Sequence, residues 1–218
     1  MFKKIFGRDK SEAPARSLDH PRKLKQGDFI KIGFDDHPEI SNTEFMIQKV
    51  TGLDLSAKSG YERSVIHLGL TDNNRPLLMW VEDDGNSERL AFSYGADQPH
   101  VETMINVEQF TDLFNPDRNY LVEVESHPSS LKDNTWLSRK YVQDEACEVY
   151  WLDRDPVDVD VGTTENVSTD EKSCDYFRLT SKDQEAAIEV FVFDGGATDV
   201  YFIIYLAMFK IEEMMPSA

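Results

Sequence analysis

The chain has 218 residues, of which 40% are hydrophobic and 11% aromatic, and its formal net charge is −18 at pH 7. A chain of this length forms one or two domains and buries enough surface to fold without disulfides or metals. Its composition excludes the intrinsically disordered class. The excess of acids repels nucleic-acid phosphates, so the composition also argues against nucleic-acid binding.

Charge is distributed unevenly along the sequence. Residues 1–26 carry eight Lys or Arg against three acids, a net of +5. The rest of the chain holds 15 of the 23 basic and 38 of the 41 acidic residues, a net of −23. Because Pro14 and Pro21 interrupt the basic segment, we predict a flexible basic arm over residues 1–26, with folded structure beginning at Gly27.

The first eight residues combine apolar and basic side chains. As a helix they would place three apolar residues on one face beside lysines, a pattern typical of contact with an anionic membrane or an acidic protein partner. The contact residues so predicted are Phe2, Lys3, Lys4, Ile5, Phe6 and Arg8. A disordered start is the alternative. No apolar signal sequence follows the basic start, which favours a cytoplasmic protein, peripheral at the inner membrane if the arm binds lipid.

Short apolar runs separated by turn residues follow the arm. In the N-terminal half they predict strands at 29–32, 45–50, 63–70, 77–81 and 89–94. One helix is predicted over 106–114, with Asn106 as its N-cap and Gln109 in the capping-box position.

The C-terminal half repeats this β signature, with predicted strands at 120–124, 136–142, 148–152, 176–179, 187–193 and 200–206. The last two are almost wholly apolar and are joined by Gly195 and Gly196, which predicts a central hairpin covered on both faces. We therefore predict a mostly β protein of the α+β class. It has two antiparallel barrel- or sandwich-like halves, 27–115 and 119–209, with one or two short helices. Whether the halves share one core stays open.

The acidic segment 153–172 is the most metal-like feature. Asp153, Asp155, Asp158 and Asp160 are closely spaced carboxylates, the ligands that Ca²⁺ prefers. Their spacing departs from that of an EF-hand, so we expect a solvated loop, with a weak cation site as the alternative.

Other chemistry-bearing residues give weaker signals. Cys147 and Cys174 lack metal-ligand spacing, which favours two reduced core thiols and leaves a bridge between them open. The sequence contains no nucleotide-binding or metalloprotease motif. We therefore expect a non-enzymatic protein without a cofactor that acts through protein–protein contact. The alternative is a hydrolase or transferase with dispersed carboxylates around His67 or His100.

Three segments together resemble a known family. They are F-K-K-I-F-G at residues 2–7, K-x-G-D-F-I at residues 25–30 and the aromatic hairpin at residues 190–209. They are similar to the YjfK-like family of uncharacterised bacterial proteins over most of the chain. The family brings no known activity or catalytic residues. Its members are encoded near relatives of the phage-shock membrane-stress protein, so the resemblance implies a cytoplasmic accessory role near the membrane in a stress response.

Overall fold

The computed structural model describes residues 16–55, 62–70, 74, 76–83, 85–114, 121–124, 136–156 and 172–217. The strands are β1 (Phe29–Ile32), β2 (Glu44–Met46), β3 (Lys49–Asp54), β4 (Glu62–Leu70), β5 (Pro76–Asp83), β6 (Glu88–Ala96), β7 (Leu121–Glu123), β8 (Lys140–Leu152), β9 (Lys172–Ser181), β10 (Ala186–Phe193), β11 (Thr198–Ala207) and β12 (Ile211–Met215). The helices are α1 (Gln98–Met104) and α2 (Val107–Asp112), with short 3-10 turns at Pro21–Lys23 and Met208–Lys210.

Eight of these strands close into one antiparallel barrel. Their order is β3, β4, β5, β6, β11, β10, β9 and β8, and β8 pairs back onto β3 through residues 150–152. The strands β3 to β6 form one meander and β8 to β11 form another, and β7 adds to the free part of β8. The predicted mostly β, α+β class is confirmed. The two β-rich halves share a single barrel, to which each gives four strands.

The barrel strands bury both of their faces. Trp80 pairs with Ala91, and Phe191 pairs with Tyr176, so the members of each pair point to the same side of the sheet. These residues belong to two buried clusters on the inner face. The outer faces of β4, β5, β6, β10 and β11 contribute to the largest apolar cluster, which also includes residues of the second sheet and the helices.

The second sheet has three strands in the order β12, β1, β2. Its inner side presents Ile30 and Ile32, which are fully buried in the large apolar cluster. The strand β12 was not predicted, because adjacent glutamates at 212 and 213 break the apolar alternation that marks a strand.

The hairpin of β10 and β11 lies in the middle of the barrel sheet, as predicted. Each of its strands pairs on both edges, β10 with β9 and β11 with β6. Its turn needs left-handed backbone at Gly195 (φ +84°) and Gly196 (φ +83°), a conformation that glycine adopts at little cost.

The predicted flexible arm is wrong for its described part, residues 16–26. Leu24 is only 1% exposed and belongs to the large apolar cluster. Arg22 forms an ion pair with Glu88 at the start of β6. Because Leu24 is buried in the core, folded structure begins before Gly27. The sequence did not predict this, since charged residues surround Leu24. The rest of the arm lies outside the described residues.

Two other boundaries differ from the prediction. The run 45–50 is split between β2 and β3, and the last three residues of the run 136–142 form one strand, β8, with the whole run 148–152. A register shift between Gln143 and Glu145 interrupts the pairing of β8 with β9. Such a shift weakens the alternation by which a strand is recognised in sequence.

The predicted helix at 106–114 corresponds to α2. The Asn106 side chain accepts a hydrogen bond of 2.8 Å from the backbone N–H of Gln109, which confirms the predicted N-cap. The helix α1 was missed. Its capping box is formed by Asp97 and His100, and Pro99 lies in its first turn, where proline is tolerated.

Asp28 joins the N-terminal segment to the second sheet. Its buried carboxylate accepts hydrogen bonds from the Arg16 side chain, from the Lys25 N–H at 2.7 Å and from the Ser217 N–H at 2.8 Å. Burial by itself raises the pKa of Asp28, but these donors outweigh burial and hold the pKa below its usual value.

We expect Asp28→Ala to lower the free energy of unfolding by about 1–3 kcal/mol at pH 7, because it leaves buried donors unpaired. The depressed pKa means that this contribution is present above pH 3.8 and is lost as the pH falls through the folded-state value. Urea titrations of variant and wild type should therefore converge on acidification. Trypsin should also cleave the variant faster at Lys23 and Lys25, and equal cleavage rates would contradict this anchoring role.

Candidate functional site

One end of the barrel opens into a cavity of about 990 Å³. The strands β3, β5, β9 and β11 begin at this end, and β4, β8 and β10 finish there. The apolar and aromatic residues of the wall are Pro76, Leu78, Trp151, Leu152, Phe193, Ala197 and Tyr201. The polar residues are Lys49, Thr51, His67, Asp153, Lys172 and Asp199. An apolar cavity with a few polar groups at its edge is the usual form of a ligand site.

The floor of the cavity is aromatic. Phe191 lies beneath it and contacts Trp151, with ring centroids 5.2 Å apart, and Tyr201, with centroids 5.8 Å apart in an edge-on arrangement. Burial, with the nearby Asp199 charge, raises the pKa of Tyr201, so its phenol stays protonated at neutral pH. The floor therefore offers flat ring surfaces and a hydroxyl donor.

Two rim charges neutralise each other. Lys49 at the start of β3 forms an ion pair with Asp153, just after β8. The hydrogen bond from Lys49, together with its positive charge, lowers the pKa of Asp153. Both side chains are about half exposed, so this pair adds little to stability and can exchange partners.

His67 lies within the wall on β4. Its Nε2 is 2.8 Å from the Thr51 hydroxyl oxygen on the neighbouring strand. Burial lowers the pKa of His67, and the charge of Lys49 lowers it further, so the imidazole is neutral at pH 7. A neutral imidazole beside a hydroxyl provides hydrogen bonding without charge.

Two other rim charges have no partner among the described residues. Lys172 begins β9 and pairs in register with Trp151, and Asp199 lies on β11 opposite Phe191. Neither side chain forms an ion pair or hydrogen bond within the described chain. Partial burial raises the pKa of Asp199, and no cation of the described residues offsets this effect. The rim thus presents one unpaired cation and one unpaired anion.

The other end of the barrel is filled by buried charges. We call this group the charged plug: Arg63, Glu82, Arg89, Arg178 and Glu189. Glu189 is 1% exposed and accepts two hydrogen bonds of 2.9 Å from Arg63. Glu82 accepts bonds of 2.6 Å from Arg178 and 2.9 Å from Arg89. The plug gives the ligand-sized cavity a closed inner end.

A smaller cavity of about 520 Å³ lies beside the plug. It occupies the place where β4 and β5 separate, beyond the pairing of Ile66 with Met79. The charged groups that line it are already engaged, since Arg63 binds Glu189 and Glu62 binds Arg154. It therefore offers less free binding chemistry than the open end.

The described carboxylates of the predicted cation site already have other partners. Asp153 pairs with Lys49, and Asp155 accepts a hydrogen bond of 2.9 Å from the Ser64 hydroxyl. Asp158 and Asp160 lie outside the described residues. Within the described ranges, no group of three or more His, Cys, Asp or Glu is placed to hold a metal. The predicted contact residues Phe2, Lys3, Lys4, Ile5, Phe6 and Arg8 also lie outside the described part of the chain.

The two histidines of the enzyme alternative lie apart. His67 lines the cavity, whereas His100 caps α1 and has its Nδ1 2.6 Å from an Asp97 carboxylate oxygen. The side chains of His20 and His37 also contact carboxylates, and neither residue lines the cavity. The structure thus brings no described histidine–carboxylate hydrogen bond into the open end of the barrel.

The cysteines are free thiols on adjacent strands. Cys174 pairs in register with Val149, which places Cys147 one diagonal step away. Burial raises the pKa of Cys174 to about 12, so this thiol stays protonated and is a poor nucleophile at neutral pH.

Sequence reasoning missed most of the cavity. Lys49, Trp151, Lys172 and Asp199 were not singled out, because they come from four strands far apart in the chain. A local signal exists at the start of β11, where the charged Asp199 precedes Tyr201 by two residues and so shares its face.

This chain matched no known protein-family model, no curated protein and no solved structure in the three comparisons made with known proteins. The resemblance to the YjfK-like family therefore stays a prediction. Among the described residues, no helix has the length and apolar character needed to span a membrane.

Proposed function

We propose that this protein is a non-enzymatic binding protein that takes its ligand into the open end of the barrel. The observation that carries this proposal is the cavity of about 990 Å³, with an aromatic floor and a charged rim. Antiparallel barrels often bind ligands in this way, because their ends can stay open while the strand edges remain paired.

The contacts and positions of His67 and Asp199 in the cavity favour binding over catalysis. His67 faces the hydroxyl of Thr51, and no third group among the described residues orients it as in a catalytic triad. Asp199 is the carboxylate of the cavity with a raised pKa, a property found in catalytic acids. It stands on β11, three strands around the barrel from His67 on β4. This separation supports independent ligand contacts rather than a His–carboxylate pair.

The predicted contact of residues 1–8 with an acidic partner or an anionic membrane remains part of the proposal. This contact would determine where in the cell the protein is located, whereas the barrel cavity would determine which ligand it binds. A cytoplasmic accessory role in a stress response, as the family resemblance implies, is compatible with both.

Binding in the cavity can be tested with the fluorescent probe 8-anilinonaphthalene-1-sulfonate at about 0.15 M salt, which screens the repulsion between the acidic chain and the sulfonate. With roughly 20 non-hydrogen atoms at about −0.3 kcal/mol each, its dissociation constant should be in the range of tens of micromolar. We expect Trp151→Ala to weaken binding about tenfold, because the probe loses a ring of the floor.

Phe209→Ala is the matched control. Phe209 is 82% exposed and does not line the cavity, so its removal should leave probe binding unchanged. Circular dichroism would confirm that both variants are folded. If Phe209→Ala weakens binding and Trp151→Ala does not, the probe binds a surface patch and the proposed site is wrong.

A further inference from the structure

The unpaired rim charges indicate what kind of ligand the cavity accepts. Lys49 and Asp153 form a pair, which leaves Lys172 and Asp199 as the rim charges without a partner in the described chain. An incoming ligand can therefore meet one cation and one anion without breaking an existing ion pair.

These two charges stand on strands separated by β10. Two interstrand spacings separate β9 from β11 by about 10 Å, and Asp199 is level with Tyr176, four residues along β9 from Lys172, which adds about 13 Å along the strands. Phe193, near the end of β10, lies between them, and Trp151 and Tyr201 form the adjacent floor. The backbones of Lys172 and Asp199 are therefore about 16 Å apart, and their extended side chains can narrow the span between the charged groups to about 7–8 Å. A ligand ammonium and carboxylate can bridge that span with one ion pair at each end.

We propose that the cavity binds a zwitterion with an aromatic body. The ligand ammonium pairs with Asp199, the ligand carboxylate pairs with Lys172, and the ring packs on Trp151 and Tyr201. A free aromatic amino acid and a short aromatic peptide both have this chemistry. This inference rests on the proposed function of the cavity.

The overall charge of the protein favours such a ligand over a simple anion. At a net charge of −18, the chain repels anions at long range. A zwitterion has no net charge, so it approaches without this repulsion and still reaches Lys172. No cation of the described residues pairs with the Asp199 carboxylate, and a ligand ammonium would supply one.

A matched series of dipeptides tests the inference by isothermal titration calorimetry. The members are phenylalanyl-phenylalanine, its N-acetyl form without the cation, its C-terminal amide without the anion, and the N-acetyl amide with neither. We expect each lost charge to weaken binding about tenfold. Free phenylalanine is measured alongside, and the tighter of the two zwitterions identifies the source as a free amino acid or a peptide.

Two variants test which residue of the rim binds each charge of the ligand. Asp199→Asn should reduce the affinity for the dipeptide to that of its N-acetyl form and leave the N-acetyl form unaffected. Lys172→Gln should remove the preference for the free carboxylate in the same way. Lys182→Gln, at an exposed lysine in the turn between β9 and β10, controls for net charge and should change neither preference.

The outcomes separate the two proposals. Equal binding of all four dipeptides would contradict the proposal of a zwitterionic ligand and would leave the cavity as a binding site. Absence of dipeptide and phenylalanine binding, with the naphthalene probe still bound at Trp151, would also overturn it. Failure of the naphthalene probe as well would overturn the proposed function itself. Charge preferences that persist in Asp199→Asn and Lys172→Gln would show that other residues carry the recognition.

Discussion

Replacing Glu189 with Ala should lower the free energy of unfolding by about 3–5 kcal/mol, the largest effect of any polar substitution that we expect in this protein. Its carboxylate holds the Arg63 guanidinium through two bonds of 2.9 Å and accepts a bond of 2.7 Å from the Tyr176 hydroxyl. Without Glu189, the Arg63 charge would stay buried with no opposite charge bound to it. Urea denaturation at neutral pH measures this loss.

The Arg63 charge cannot be relieved by losing a proton, because a guanidinium is too basic to be deprotonated in a protein. Burial by itself lowers the pKa of Arg63, but in the wild type the charge and hydrogen bonds of Glu189 outweigh burial and hold the pKa above its usual value, and the variant loses this support. The guanidinium also lies 4.1 Å from the centroid of the Trp80 ring, which favours the cationic form. Removal of the anion therefore costs stability rather than shifting a titration.

Two further variants distinguish the contribution of the Arg63–Glu189 pair to stability from the contributions of its single groups. Tyr176→Phe removes one hydroxyl donor and should cost about 1 kcal/mol. The double variant Arg63→Met, Glu189→Leu removes both charges together and should recover most of the stability lost in Glu189→Ala, because a buried ion pair contributes little more than apolar packing of similar volume. A loss below about 1 kcal/mol in Glu189→Ala would mean that water reaches the charged plug.

The sequence predicts the strands of this barrel better than it predicts the barrel itself. Alternation and turn residues mark most strands of β1 to β11 and the hairpin at Gly195 and Gly196, because these signals are local. The closure of β3 onto β8 depends on pairing between residues about a hundred positions apart, which no local pattern encodes. The sequence therefore left open whether the two halves share one core.

The binding site was harder to predict for the same reason. Each rim residue comes from a different strand, and their meeting depends on the register of the whole barrel. Lys172 and Asp199 look like ordinary charges at the starts of strands, and the pairing of β9, β10 and β11 brings both to the open end of the barrel. The charged plug was missed as well, since Arg63 and Glu189 are 126 residues apart.

Trp136 joins three parts of the chain on the outer side of the barrel. It is fully buried, and its ring lies 5.7 Å from that of Tyr94 on β6 and 6.0 Å from that of His37 before β2. Its Nε1 donates a hydrogen bond of 3.1 Å to the Glu39 carboxylate. These contacts connect the segment before β8 to the N-terminal half, so they stabilise the joining of the two meanders.

We expect Trp136→Ala to lower the free energy of unfolding by about 3–5 kcal/mol, because it removes a large buried side chain and leaves a cavity that the rigid sheet cannot fill. Trp136→Phe keeps a ring but loses the bond to Glu39, so it should cost about 1–2 kcal/mol. Trp151→Ala, at the partly exposed floor of the open cavity, is the matched control and should cost less than Trp136→Ala because solvent already reaches that site. Urea titrations of the three variants, followed by circular dichroism, would establish this order. If Trp136→Ala costs no more than Trp151→Ala, the segment before β8 unfolds independently of the barrel. The joining of the two halves would then rest on strand pairing alone, through β3 with β8 and β6 with β11.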